Sequence, residues 1–111
     1  MIGPFEVTEV LALAVLLVAL VVMARVRAHP ANTPRTRLWW GRFLTLLGLE
    51  TVSQVCTNLE QLFPDGSAAN TVLNVGEHLF AWATGVMAMV IAYQALVEAV
   101  ARQASAEGES A

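Results

Sequence analysis

The sequence predicts an all-α fold, a three-helix transmembrane bundle running up-down-up, with its N-terminus outside and its C-terminus in the cytoplasm. Three observations predict it. The 111-residue chain is 57% hydrophobic and only 14% charged, a balance rare in a soluble domain. Residues 10–24 carry neither charge nor proline and residues 79–97 carry no charge; at about 1.5 Å per residue, each run covers most of a hydrocarbon layer about 30 Å thick. All six basic residues are arginines, and all fall on one side of the expected spans. A soluble helical bundle would need a polar face along every helix, and residues 12–22 offer none.

The expected helices are residues 4–28, 38–63 and 69–103, within a single membrane domain over residues 1–104. The first begins at Pro4, a residue suited to an opening helical turn, and closes before Pro30 with Arg25 and Arg27 able to snorkel to the interface. It does not read as a secretory signal, because Glu6 and Glu9 precede the apolar run and the arginines follow it; that order suits an uncleaved, reversed anchor. Pro30, Asn32 and Pro34 make the next segment a turn-rich loop, after which Trp39 and Trp40 mark an aromatic belt. Residues 43–59 of the second span carry one charge, Glu50. Pro64, Asp65 and Gly66 then form a turn short enough to force the third helix antiparallel to the second. Residues 105–111 are small, polar and acidic, and a frayed tail is expected there.

Orientation follows from the charges. Arg25, Arg27, Arg35, Arg37 and Arg42 flank the first loop and Arg102 follows the third span, whereas Glu6, Glu9, Glu60 and Asp65 mark the other side without a single Lys or Arg. The positive-inside rule therefore assigns the first loop and the C-terminus to the cytoplasm of a multi-pass protein of the cytoplasmic (plasma) membrane. A net charge of −3 with no basic run gives no reason to expect a nucleic-acid partner. Cys56 is the single cysteine, so it can form no intrachain disulfide and reads as a small packing group.

Two patterns carry the functional expectations. Ala81, Gly85, Ala88, Ala92 and Ala95, continued by Ala99, recur at spacings of three and four, a small-residue seam that permits close left-handed helix crossing. Such a seam serves either another span of the same chain or a second copy. The other pattern is polar: Glu50, Gln54, Thr57 and Gln61 share one face of the second helix, with Ser53 and Asn58 alongside, while Gly41, Thr45 and Gly48 occupy the opposite face. Counting back from Leu62 opposite Thr71 sets Asn58 near Val75, Thr57 near Gly76 and Glu50 near Ala83. Gln54, Thr57, Asn58, Asn74, Glu77, His78 and Glu9 are then candidates for one polar pocket, with Glu50 and Thr84 at its floor.

An intramembrane carboxyl costs about 2.5–3.5 kcal/mol on insertion scales, so Glu50 needs a partner or a proton; desolvation favours the protonated form. It serves either as a coupling carboxyl for a proton or cation or as a hydrogen-bond donor between helices. Glu77 and His78 are adjacent and point about 100° apart, and no diagnostic metal-ligand spacing, nucleophile elbow or phosphate loop occurs. No cofactor, no metal and no enzymatic activity is expected. Trp82 and Tyr93 read as lipid or packing contacts.

The Arg-rich first loop leading into an apolar span with an early glycine, residues 35–48, together with Glu77, Gly85 and Tyr93 in the last span, resembles small three-span membrane proteins of unknown function found in haloarchaea. The resemblance extends over most of the chain and implies the topology. In length the chain also resembles the semiSWEET half-transporters, which dimerise around a sugar pathway, but it holds no Pro-Gln pair. The expected function is that of a non-enzymatic accessory or self-associating helical module, its partners the lipid bilayer and a homo-oligomer or larger membrane complex. The alternative is a minimal oligomeric transporter or channel for a small solute, cation or proton, working through Glu50.

Overall fold

The computed structural model describes residues 6–110. It is all-α among those residues, with α1 at Val7–Ala28, α2 at Pro34–Glu60 and α3 at Ala68–Ser110. The expected opening of the first helix at Pro4 lies outside the described residues.

α1 is 22 residues, mostly Leu, Ala and Val, without internal Gly or Pro, about 33 Å long. Its closing carbonyls are satisfied by Asn32, whose Nδ2 donates to the carbonyls of Val26, Arg27 (3.0 Å) and His29 (3.2 Å). α2 then starts a turn earlier than the sequence suggests. Thr33 is its N-cap, Oγ1 accepting from the Thr36 amide at 3.2 Å, and Pro34 occupies the first helical turn, where its missing N–H costs nothing. Pro34 thus begins the helix instead of prolonging the loop.

The connection to α3 is a tight turn. The Ser67 amide donates to the Pro64 carbonyl at 3.1 Å, and Gly66 takes a φ of 82°, which a side chain would disfavour. Ser67 also caps α3, its Oγ accepting from the Asn70 amide at 3.2 Å. α3 runs for 43 residues, about 64 Å. The frayed tail expected over residues 105–111 is helical as far as Ser110. Gln103, Ala104, Ala106 and Glu107 favour helix, no proline interrupts them, and Gln103 Nε2 donates to Glu107 Oε1 four residues on at 3.3 Å.

α2 lies between the other two helices, antiparallel to both, and no Cα of α1 comes within 8 Å of one in α3. The result is an open three-helix layer, 67 × 28 × 19 Å. The half-buried residues of α1 are Glu9, Leu13, Leu16, Ala19, Leu20 and Met23, spaced as one helix face toward α2. On α3, Leu73, Gly76, Phe80, Thr84, Met87, Ile91 and Gln94 form the corresponding face, at spacings of three and four. Gly76 is where the helices come close: a Cβ there would stand 3.4 Å from Sγ of the half-buried Cys56.

Burial is inverted relative to a water-soluble bundle. Ile91 is the one buried hydrophobic residue among those described, Thr51, Ser53 and Asn58 are buried polar residues, and Val15, Val18 and Val22 of α1 and Val72, Trp82, Val86 and Met89 of α3 stand exposed. α1 and α3 are each long and apolar enough to cross a membrane. α2 is long enough but carries Arg35, Arg37, Arg42, Glu50 and Glu60.

Candidate functional site

Because α2 has a neighbour on each side, its polar residues divide between two clefts. Toward α1, Gln54 Nε2 donates to the Glu9 carboxylate Oε2, and Asn58 Nδ2 donates to the Glu9 carbonyl at 3.3 Å and to the Gln54 carbonyl at 2.9 Å. Gln61 Oε1 accepts from the Glu6 amide at 3.0 Å, so the polar ladder reaches the start of the described chain. Toward α3, Ser53 Oγ donates to the Glu77 carbonyl at 2.9 Å, Asn70 Nδ2 donates to the Glu60 carbonyl at 3.0 Å, and Asn74 Nδ2 donates to Glu60 Oε2 at 3.3 Å.

The single pocket expected from the sequence is therefore two polar seams on opposite flanks of one helix. Gln54, Asn58 and Glu9 belong to the first, Asn74 and Glu77 to the second, and His78 is an exposed residue near Glu60 that makes no hydrogen bond in either. Thr57 and Thr84 turn their hydroxyls back on their own helices, to the carbonyls of Ser53 (3.2 Å) and Phe80 (2.8 Å), as Thr45 and Thr51 do to Gly41 and Leu47. A threonine that donates to the carbonyl four residues earlier needs no other partner for its proton, the economical state for a hydroxyl in apolar surroundings. Glu50 is half-buried near the middle of α2 and makes neither a hydrogen bond nor an ion pair among the described residues. Asn58 Oδ1 is likewise without a hydrogen-bond partner, at a residue only 5% exposed.

The small-residue seam does not receive α2. Ala81, Gly85, Ala88, Ala92 and Ala95 are all exposed, and each follows by one residue a member of the packed row Phe80, Thr84, Met87, Ile91 and Gln94. One residue is a rotation of about 100°, so the seam looks out from a broad side of the layer. A Cβ on Gly85 would meet nothing within 4 Å. Within the described helices the seam is left uncovered, with no Cα of α1 within 8 Å of one in α3. Trp82 and Tyr93 are exposed as well.

The arginines separate into functional groups that the sequence did not distinguish. Arg27 Nε donates to the Arg37 carbonyl at 3.3 Å while Arg37 Nε donates to the Arg27 carbonyl at 3.4 Å, a reciprocal tie across the first loop. Gly41 makes room for it: a Cβ there would stand 3.1 Å from Arg27 Nε. Arg35 forms an ion pair with Glu98 of α3, and Arg42 lies over the Trp39 ring with Cζ 4.4 Å from its centroid. Glu98 and Asn70 were missed in the sequence. Extending the Leu62–Thr71 count down the two helices sets Glu98 opposite Arg35 and was the signal that would have found it.

The four-residue set Glu9, Gln54, Asn58 and Gln61 can bind helices to one another. It offers no nucleophile with a base beside it, and no cluster of three metal-ligating side chains occurs among the described residues. Comparison of the chain with family models, with curated proteins and with solved structures gives no match.

Proposed function

We propose that the chain is a small, non-enzymatic, three-span membrane protein, extracellular at its N-terminus and cytoplasmic at its C-terminus, that acts by associating with itself or with a larger membrane complex through α3. Inverted burial supports the lipid environment: buried Thr51, Ser53 and Asn58 beside exposed Val15, Val18, Trp82 and Met89 suit a hydrocarbon solvent. α2 joins as the third span because α1 and α3 flank it and its polar groups turn into the two clefts, where Arg35 meets Glu98 and Glu60 meets Asn74. The resemblance to small three-span haloarchaeal proteins accords with this topology.

The observation that carries the associative role is the uncovered seam from Ala81 to Ala95. Helices in lipid gain little by hiding apolar surface from one another, and small side chains that let backbones approach are what hold them together. Gly85→Leu and Ala88→Leu should leave the monomer folded and abolish the crosslinked oligomer formed by the parent chain in bilayers. Undiminished crosslinking of both variants would remove the basis for this reading.

A second reading has its own observation. Glu50, half-buried and unpaired at mid-helix, suits a carboxyl that takes up and releases a proton or cation in an oligomeric transporter or channel. Reconstituted vesicles should then show flux that varies with pH and that Glu50→Gln eliminates. Absence of flux for protons and for small cations would discard it.

A further inference from the structure

A groove of about 390 Å³ opens between α2 and α3 at the arginine-rich end, lined by Arg35, Thr36, Trp39 and Phe43 on one side and by Glu98 and Arg102 on the other. Its charges do not balance. Arg35 is tied to Glu98, whereas Arg102, one turn further along α3, has no ion-pair partner among the described residues. Two guanidiniums face one carboxylate, leaving an excess positive charge.

The lining also changes character along its length. Trp39 and Phe43, with ring centroids 6.4 Å apart, continue it one helical turn at a time from the charged end toward the apolar middle of α2. Ala95, the last residue of the seam, also lines the groove, where a side chain without bulk leaves room against the rings. A ligand that matches this surface is anionic at one end and hydrocarbon at the other.

We propose that the groove holds an anionic phospholipid, its phosphate headgroup at Arg102 and Arg35 and the first carbons of an acyl chain against Phe43 and Ala95. Guanidinium is suited to phosphate because its planar fork matches the oxygens of the anion. The excess positive charge discriminates against phosphatidylcholine, whose trimethylammonium would be brought toward Arg102, and favours a headgroup with no compensating cation. The assignment rests on the membrane reading above, because a lipid reaches the groove only if Trp39 and Phe43 lie at the interface and below it.

The test is native mass spectrometry of protein reconstituted into vesicles of phosphatidylcholine mixed with phosphatidylglycerol and released in mild detergent. The parent chain should retain phosphatidylglycerol in preference to phosphatidylcholine. Arg102→Gln should lower that preference about tenfold, the scale of one charge-assisted contact. Glu98→Gln should raise it by freeing Arg35, and Arg25→Gln, an equal loss of charge outside the groove, should leave it unchanged. Equal losses in the Arg25 and Arg102 variants would show only the general field of the basic side and would overturn the site. Equally tight binding of inorganic phosphate by lipid-free protein would assign the groove to a soluble anion and overturn the lipid. Vesicle flotation separates the two levels of inference: protein that floats but shows no lipid preference defeats the groove alone, whereas protein that fails to float defeats the membrane reading beneath it.

Discussion

Asn58 uses its amide donors on Glu9 and Gln54 while its carbonyl oxygen has no hydrogen-bond partner. Hydrogen bonds between helices in a bilayer average about 0.6 kcal/mol and rarely exceed about 1.7 kcal/mol. Asn58→Leu removes the donors and the orphaned acceptor together, so its unfolding free energy in bicelles should fall by no more than about 1 kcal/mol. Gln54→Leu differs in kind, because it strips the Glu9 carboxylate of its donor within a half-buried cleft; a loss of about 1–2 kcal/mol is expected in the same measurement. The glycines make a second contrast. Gly76 faces the Cys56 thiol and Gly85 faces open space. Gly76→Leu should therefore destabilise the monomer by about 1–3 kcal/mol through overpacking, while Gly85→Leu should leave monomer stability unchanged and act on association alone. Equal effects of the two on monomer unfolding would contradict the orientation of α3.

Among the elements, α3 outreaches its partner. Its Glu98 meets Arg35 in the opening turn of α2, and residues 99–109 continue about 16 Å past that point as exposed helix. Truncation after Gln103 should leave the thermal unfolding midpoint of the bundle within measurement error, since residues 104–109 are exposed throughout. The pairing of α2 with α3 was legible in the sequence to within one residue: counting from the turn set Thr57 beside Gly76, and Cys56 stands there. A short turn fixes where two antiparallel helices start, and their common rise per residue carries the register onward. The start of α2 was less legible because proline signals both a loop and a first helical turn, and only the Thr33 cap decides between them. The seam was legible as a pattern but not in direction. In lipid, exposed and packed faces are equally apolar, so Ala88 and Met87 could not be told apart by hydrophobicity. The polar stripe of α2 read as one site for a related reason: Ser53 and Gln54 are sequence neighbours, yet they reach different helices.

For the whole molecule, the proposed orientation is open to a direct measurement because Cys56 is the sole native thiol. In a Cys56→Ala background, Thr8→Cys should react with an impermeant maleimide added outside intact cells, whereas Ser105→Cys should react only after the membrane is opened. The reverse pattern would invert the assignment. Mild extraction of the parent chain should give a particle containing at least two copies, or one copy with a larger partner, and both Gly85→Leu and Ala88→Leu should reduce it to a single chain.

The separation of α1 from α3 has one more consequence. Three helices in an open row enclose no lumen, so water could cross beside Glu50 only where a neighbouring molecule supplies the missing wall. Any permeation would then be a property of pairs, and diluting the protein with excess lipid should make it fall with the square of surface density instead of in proportion.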